Sequence, residues 1–364
     1  MRVLHLSMDY PPRHAGGTTV HTYQLAHSLQ KLGHEVSIVA ATAPGAPRTQ
    51  DDDGVTVHRV PRPYTQFSAR KARELMGTTD VVHGHGICAY GLLKGRHPPT
   101  VVKLHNIWAQ ELEAYRNLPE SASWRYVNIS IPKYVRMDRA TCARADHLIS
   151  ISRYISGGAE EYGISRDRIT LIPNGVDFER FERAEPADLK LRRPIIAYIG
   201  RLSPHKNVSP LIKAVKGLKK GSLLVIGGGP SERELREEAE SLGRRAMFTG
   251  VVPFDDVPSF YKAADIIVYP TLYEPLGNVI LEGMASGKPV IASRTGGIPE
   301  ILPEKAGRLF STEEELRETL TELAGDRTLR EQMGSHGLQV ARKRTWMDVA
   351  RETADVLKKT LDGA

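Results

Sequence analysis

The stretch DIIVYPTLYEPLGNVILEGMASGKPVIAS, residues 265–293, decides the fold class of this chain. Its first residues, 265–269, form a short apolar run that predicts a buried strand. Residues 276–286 predict a helix, and residues 290–292 predict the next strand. A strand, a helix and a strand in this order predict a parallel α/β sheet, with a ligand site at the carboxyl end of the first strand.

Two carboxylates stand out within this stretch, Glu274 in the loop and Glu282 in the predicted helix. The N–H groups of Leu276, Gly277 and Asn278 are expected to be free at the helix start, which attracts phosphates and other oxygen-rich groups. Glu282 lies four residues beyond Asn278 and so on the same helix face, where a carboxylate can accept hydrogen bonds from the two hydroxyls of a ribose. The alternative is that Glu274 only caps the helix and that Glu282 is a solvated charge.

The pattern E-x7-E within YEPLGNVILEGMASGKPVIAS resembles the signature of retaining nucleotide-sugar glycosyltransferases of family 4. The resemblance runs from residue 1 to about residue 361 and is strongest over residues 200–300. It implies the GT-B fold, an α/β architecture of two Rossmann-like doubly wound domains that face a central cleft. In that fold the C-terminal helix crosses back to the N-terminal domain.

The length of 364 residues suits two domains. Residues 1–180, together with the crossing helix 346–364, are predicted to form the acceptor-side domain, and residues 190–345 the nucleotide-sugar-binding domain. The polar, proline-punctuated segment 178–194 has the composition of a linker.

Composition narrows the function classes. A hydrophobic content of 40% and a charged content of 26% are those of a globular protein, and no run of about 20 apolar residues is present. The N-terminus lacks a signal-peptide layout, so we expect a cytoplasmic protein. Cys88 and Cys142 are far apart and are interpreted as reduced structural thiols. The net charge of +7 permits anionic ligands, but the absence of a basic helix argues against nucleic acid.

A second candidate cluster follows the predicted strand 195–199, in GRLSPHKN. Arg201 and Lys206 lie five residues apart on this loop and can converge on a diphosphate, the arginine as a planar fork and the lysine as a point charge. The alternative is a pair of ordinary surface cations. The pattern GRL-x3-KN resembles the leaving-group clamp of family 4, and the resemblance implies that the backbone near Val252 reads the base.

The N-terminal half opens on a strand, Gly16-Gly17 and a helix, without the G-x-G-x-x-G that a NAD site requires. The resemblance implies that Gly16 and Gly17 approach the donor diphosphate or sugar; a flexible turn is the alternative. It also implies that His105, which follows the strand 101–104, lies beside the transferred sugar, although Asn106 replaces the usual acid. His83 and His85 are expected to be histidines satisfied in a loop, with a place beside His105 as the alternative.

The resemblance implies retaining transfer of a hexose from a UDP- or GDP-linked sugar to an acceptor hydroxyl by front-face attack. Arg201 and Lys206 would stabilise the charge on the leaving diphosphate, and Glu274 would hold sugar hydroxyls together with the amides of residues 276–278. We expect no metal or other cofactor, since Asp51-Asp52-Asp53 lies in a polar loop and is interpreted as solvated. A GT-B nucleotide-sugar epimerase and a non-catalytic nucleotide-sugar-binding protein are the alternatives.

The acceptor is left open as a sugar, a lipid-linked molecule or a small molecule. One set of basic residues fits contact with the inner membrane face, and an ordinary solvated surface is the alternative. These residues are Lys94, Arg96, Lys133, Arg136 and Arg139.

Overall fold

The computed structural model describes residues 1–12, 16–118 and 126–363 and divides into two compact units. The described residues of Met1–Arg116, Ser123–Gly175 and Trp346–Ala364 form the first unit, and those of Asn117–Ala122 and Val176–Thr345 form the second. Among these residues no helix is long and apolar enough to span a bilayer.

The first unit is built on one eight-stranded sheet. Its strands are β1 (Arg2–Leu6), β2 (Glu35–Ala41), β3 (Thr49–Asp52), β4 (Val55–Val60), β5 (Val81–His85), β6 (Thr100–Leu104), β7 (His147–Ser150) and β8 (Ile169–Leu171). Their spatial order is β3-β4-β2-β1-β5-β6-β7-β8, and only the β3–β4 pair is antiparallel. Strands β5 and β6 are buried along their whole length, as expected for parallel strands covered on both faces.

In the described part of the first unit, five helices connect these strands. They are α1 (Gly17–Lys31), α2 (Tyr64–Glu74), α3 (Trp108–Arg116), α4 (Ile131–Arg144) and α5 (Arg153–Glu161). The predicted opening of a strand, Gly16-Gly17 and a helix is confirmed by β1 and α1.

The second unit contains a six-stranded sheet in which every pair is parallel. Its strands are β9 (Ile195–Ile199), β10 (Ser222–Ile226), β11 (Ala246–Gly250), β12 (Ile266–Tyr269), β13 (Val290–Ser293) and β14 (Gly307–Phe310). The spatial order is β11-β10-β9-β12-β13-β14. Strands β10 and β11 therefore extend the sheet on one side of β9, and strands β12 to β14 extend it on the other. The boundary between β9 and β12 is the topological switch point, where doubly wound sheets bind ligands.

Among the described residues, eight helices belong to the second unit and one more lies at the end of the chain. They are α6 (Phe178–Arg183), α7 (Ser209–Gly217), α8 (Glu232–Ala239), α9 (Val257–Ala263), α10 (Asn278–Ala285), α11 (Ile298–Ile301), α12 (Glu313–Gly325), α13 (Arg327–Ala341) and, in the first unit, α14 (Trp346–Asp362). Single-turn helices fill several connections: Met76–Thr78, Gly86–Ala89, Leu92–Lys94, Tyr126–Ser130, Arg166–Arg168, Pro204–Lys206, Glu240–Arg245 and Phe254–Asp256.

Helix α14 completes the core of the first unit although it ends the chain. Trp346, Val349 and Leu357 are buried in the same apolar cluster as Leu25 and Leu29 of α1. The first unit is therefore discontinuous in sequence.

The segment predicted as a linker is in part a helix. Phe178 and Phe181 of α6 are buried and belong to the apolar core of the second unit. They are three residues apart and so lie on one helix face, but the charged residues around them give the segment a linker-like composition.

Candidate active site

The predicted donor-site residues of the second unit lie at the carboxyl ends of its strands. Arg201 follows β9 and Glu274 follows β12, the two strands that flank the switch point. The carboxyl ends of parallel strands meet at one edge of a sheet, so residues that are 73 positions apart in sequence are brought to the same edge.

Lys206, Glu274 and Tyr269 form a closed triangle of hydrogen bonds. Lys206 Nζ lies 2.8 Å from Glu274 Oε2 and donates to the hydroxyl of Tyr269 at 2.7 Å. The Tyr269 hydroxyl donates to the same Glu274 oxygen at 2.6 Å. The lysine and carboxylate side chains are only 15% and 14% exposed, so this ion pair is much less screened than a surface pair. The site therefore presents a preformed cation whose position is fixed from two sides.

Glu274 is held as a carboxylate. Burial by itself would raise the pKa of Glu274, but the charge of Lys206 and the hydrogen bonds from Lys206, Tyr269 and the amide of Leu276 lower it overall. The amide of Leu276 is thus engaged by Glu274, which differs from the expectation that it is free for a ligand. The cause is the loop, which turns the carboxylate back onto the chain before the helix starts.

Helix α10 begins at Asn278, two residues later than predicted, because Gly277 has φ 99° and leaves the helical region. Glu282 lies one turn into this helix and is partly buried. It accepts a hydrogen bond from the hydroxyl of Tyr261 at 2.7 Å. Burial raises the pKa of Glu282, opposed by the Tyr261 hydrogen bond and the charge of Arg180.

Arg201 is exposed, and no hydrogen bond or ion pair of its guanidinium occurs within the described part of the chain. Its backbone is fixed instead, because the Tyr198 hydroxyl donates to the Arg201 carbonyl at 2.8 Å. The neighbouring His205 is largely buried, and burial followed by the charge of Lys206 lowers the pKa of His205 to about 4. The loop thus offers one free cation and one paired cation.

Glycines allow three loops to pack tightly behind these cations. A Cβ at Gly227 would lie 1.9 Å from the Gly200 carbonyl oxygen, and one at Gly229 would lie 2.2 Å from that of Leu202. A Cβ at Gly296 would lie 1.9 Å from the carbonyl oxygen of Glu274, which accepts a hydrogen bond from the amide of Gly297 at 3.0 Å. No side chain fits at these positions, so the glycines are required by backbone contact.

The other predicted residues are Val252 in the second unit and Gly16, Gly17 and His105 in the first. Val252 is partly buried and packs against the core of the second unit, next to Val251, which is 82% exposed. In the first unit Gly16 and Gly17 are exposed at the start of α1, and Gly16 has φ 105°. His105 lies just beyond β6, half-buried.

Sequence reasoning missed the side chains that support the predicted residues: Tyr269, Tyr261, Tyr198 and Arg180. Tyr269 was readable as a hydroxyl at the carboxyl end of a buried strand, where a polar group needs a partner. Arg180 and Tyr261 carried no such signal, because they come from helices far away in sequence.

Histidines are the residues whose geometry could suit a metal. One ring nitrogen from each of His5, His83 and His85, and likewise from each of His21, His85 and His105, lies within 4.8 Å of the others. Two carboxylates of Asp51-Asp52-Asp53, which were expected to be solvated, accept hydrogen bonds from the protein. Asp52 accepts from the Tyr10 hydroxyl at 2.5 Å, and Asp51 accepts from the Gly54 amide at 3.0 Å.

Comparisons with known proteins show the family of the chain. The profile of glycosyltransferase family 4 matches residues 15–180, and that of the glycosyl transferases group 1 matches residues 179–340. The D-inositol 3-phosphate glycosyltransferase of Nocardia farcinica is 30% identical over 92% of this chain and 83% of its own length.

Solved structures resemble the chain over its full length. Sucrose-phosphate synthase from Thermosynechococcus elongatus has a TM-score of 0.83 at 20% identity, with 100% of both chains covered. HepE of Anabaena, solved in complex with UDP-glucose, has a TM-score of 0.76 at 18% identity and covers 99% of this chain and 100% of its own.

The two Rossmann-like units and the similar solved structures define the GT-B fold, and both matching family models are those of glycosyltransferases. The chain belongs to glycosyltransferase family 4.

Proposed function

We propose that this glycosyltransferase moves a hexose from a UDP- or GDP-linked sugar to an acceptor hydroxyl with retention of anomeric configuration. Arg201 and Lys206 hold the diphosphate, Glu282 binds the ribose hydroxyls, and Glu274 with the amides of Gly277 and Asn278 holds the sugar. The backbone near Val252 contacts the base, and Gly16, Gly17 and His105 are contributed by the first unit. The reaction needs no metal or other cofactor.

The triangle of Lys206, Glu274 and Tyr269 is the observation that carries this proposal. Charge develops on the diphosphate as the glycosidic bond breaks, and a cation already fixed in place stabilises it without reorganisation. The carboxylate that fixes Lys206 is itself held ionised, so it can accept hydrogen bonds from sugar hydroxyls. The exposed guanidinium of Arg201 supplies the bidentate partner that a phosphate prefers.

The ribose assignment is supported by the setting of Glu282. Its carboxylate is anchored by one hydrogen bond from Tyr261, which leaves further acceptor positions for two neighbouring hydroxyls. HepE, which is similar to this chain, was solved in complex with UDP-glucose, so a uridine donor is the first to test.

Two kinds of acceptor are to be tested, small phosphorylated molecules and a membrane-bound molecule. D-inositol 3-phosphate and sugar phosphates are small acceptors to try first, in view of the names of the similar proteins. A membrane acceptor is supported by Lys133, Arg136 and Arg139, which are exposed at intervals of three residues along α4. Cosedimentation with anionic vesicles at low and high salt tests that contact, because screening weakens it.

Binding calorimetry and thermal shifts with UDP, GDP, ADP and their sugar conjugates test the donor site. A ligand at a hundred times its dissociation constant stabilises the protein by about 2.7 kcal/mol. We expect one nucleotide to stabilise the wild type and the Glu282→Gln variant to lose most of that response. Glu331→Gln, an exposed helix carboxylate paired with Arg327, is the matched control and should respond as the wild type does.

Turnover separates the proposal from its alternatives. With the preferred donor, a transferase forms a glycoside whose anomeric configuration NMR reads directly, and chelation of metals leaves the rate unchanged. Conversion of the nucleotide sugar to its epimer would establish an epimerase. Tight donor binding without turnover on any acceptor would support a binding protein instead.

A further inference from the structure

Five histidines of the first unit lie together around the neighbouring central strands β1, β5 and β6. His5 is on β1, His83 and His85 are on β5, and His105 follows β6; strand pairing places His5 opposite His83. His21 of α1 packs beside them, with its ring centre 4.7 Å from that of His105. His5, His21 and His83 are fully buried and His85 is 3% exposed, so only His105 reaches solvent.

Three of these rings are joined end to end. His85 Nδ1 lies 2.9 Å from His105 Nε2, while the ring centres are 5.2 Å apart and the planes differ by 7°. The centre separation equals the N···N distance plus one ring radius at each end. The rings are therefore coplanar and hydrogen bonded, rather than stacked face to face. A longer and more tilted link follows, from His85 Nε2 to His5 Nδ1 at 3.4 Å with planes 28° apart.

This geometry favours hydrogen bonds over a metal ion. Nitrogens that ligate one ion point at a common centre, whereas those of His85 and His105 point at each other. Lys103 is fully buried close by, and its charge contributes to the lowered pKa of His105. A buried dication without a carboxylate ligand beside a buried ammonium would be strongly disfavoured.

The protons of the rings are coupled by these contacts. Burial lowers the pKa of His5 to about 3, and burial with the charge of Lys103 lowers that of His105 to about 3, so each ring is neutral and carries one N–H. Only one of two facing nitrogens can hold a proton. The tautomer of His85 therefore sets that of His105, and Nδ1 is the nitrogen of His105 that is left for a ligand.

We propose that His85 is a positioning residue for His105: it fixes the ring plane and tautomer so that His105 presents Nδ1 to the substrate. The inference rests on the proposed function, which makes His105 a ligand-facing residue. His85 itself touches no substrate and acts only through His105.

Two substitutions of His85 separate its two contacts. The amide of asparagine occupies the place of Nδ1, so His85→Asn keeps the bond to His105 and loses the link to His5. The amide of glutamine occupies the place of Nε2, so His85→Gln does the reverse. His83→Gln is the control for a polar change at a fully buried histidine of the same strand, because the His83 ring contacts His5 Nδ1 at 3.4 Å and not His105.

We expect ¹⁵N NMR of histidine-labelled protein to show a single tautomer for His105 in the wild type, the His85→Asn variant and the His83→Gln variant. In the His85→Gln variant both tautomers should appear. With the preferred donor, kcat of that variant should fall about 10-fold, the size of one neutral hydrogen bond, with KM nearly unchanged. The His85→Asn variant should keep most of the activity, which a merely structural role would not predict.

Four outcomes distinguish the possibilities. An unchanged His105 spectrum in the His85→Gln variant, or equal loss of kcat in both His85 variants, would overturn the inference. Stoichiometric Zn²⁺ binding that shifts all five histidines would also overturn it, in favour of a metal site. The His105→Ala variant tests the role of His105 separately. If it keeps full turnover while the His85 variants still change the tautomer of His105, the positioning is supported and the role of His105 in transfer fails.

Discussion

The hydroxyl of Tyr269 contacts two charged residues of the proposed donor site, Lys206 and Glu274. It accepts from Lys206 and donates to Glu274, so it orders the cation and the carboxylate at once. Burial places the ring firmly, with Tyr198 packed parallel to it at a ring-centre distance of 6.2 Å. The geometry of the site therefore depends on the Tyr269 hydroxyl as well as on the charged residues.

Replacement of this tyrosine by phenylalanine tests the support. Tyr269→Phe keeps the ring and removes both hydrogen bonds, so Lys206 and Glu274 lose their fixed geometry. We expect kcat to fall about 10-fold or more, with a smaller change in donor affinity, measured by steady-state kinetics and calorimetry.

Tyr64→Phe is the matched control for that change. Tyr64 is buried in the first unit and donates to the Val39 carbonyl oxygen at 2.6 Å. Its replacement should cost a similar free energy of unfolding and leave kcat unaltered. A normal kcat for Tyr269→Phe would remove the tyrosine from the proposed mechanism.

Elements position the site through close backbone contacts. Gly296 follows β13 with φ 54°, and its α-carbon faces the carbonyl oxygen of Glu274. Alanine there would displace the loop that carries the carboxylate. We expect Gly296→Ala to weaken donor binding by at least about 10-fold and to lower the free energy of unfolding, as seen by calorimetry and denaturant titration.

A helix glycine with open surroundings provides the comparison. Gly157 of α5 has negative φ, and a Cβ there meets nothing within 4 Å. Gly157→Ala should therefore stabilise the first unit by up to about 1 kcal/mol. Equal behaviour of the two alanine variants would show that the contact at Gly296 does not constrain the loop.

Helix packing in the first unit also predicts a pH effect. Asp138 of α4 is buried and accepts from the Trp108 amide of α3 at 3.1 Å and from the Tyr162 hydroxyl at 3.2 Å. Burial, only partly opposed by these hydrogen bonds, raises the pKa of Asp138 to about 7.

The sign of the effect follows from proton binding. Between the unfolded pKa of about 4 and the folded value of about 7, the folded state holds a proton that the unfolded state has lost. This carboxyl therefore lowers the free energy of unfolding as pH rises through that window, by at most about 1.4 kcal/mol per pH unit. Denaturant titrations from pH 4 to pH 8 should show a flatter profile for Asp138→Asn than for the wild type, and a parallel pair of profiles would contradict the assignment.

The whole molecule consists of two units with separate cores. Leu357 of α14 is buried in the core of the first unit, and Leu320 of α12 is buried in that of the second. Each alanine substitution removes buried methyl groups and should cost about 2–5 kcal/mol.

Hydrogen exchange can locate those losses. We expect Leu357→Ala to lower protection of strands β1–β8, although the residue is near the end of the chain, and to leave β9–β14 protected. Leu320→Ala should give the reverse pattern. If each variant lowers protection everywhere, the two units unfold as one.

The sequence predicted strands and candidate site residues where the apolar pattern and the polar residues that follow it lie in one short segment. The apolar strand at 195–199 was predicted to the residue. Arg201, Lys206, Glu274 and Glu282 were singled out from loop and helix spacing. The resemblance to the family was also visible in the sequence, because its motifs are short local patterns. Glu274 and Glu282 lie within one segment, and Arg201 and Lys206 lie within another.

Only the tertiary structure decided what surrounds those residues. Lys206 is paired with Glu274, Tyr261 supports Glu282, and three histidines from separate strands form one hydrogen-bonded row. These contacts join positions 20 to 80 residues apart through strand order and register. The sequence by itself therefore determined the elements and the chemical groups at their ends, because periodicity and turn residues act locally. Which groups meet depended on the order of strands in each sheet, because that order brings distant strand ends to one edge.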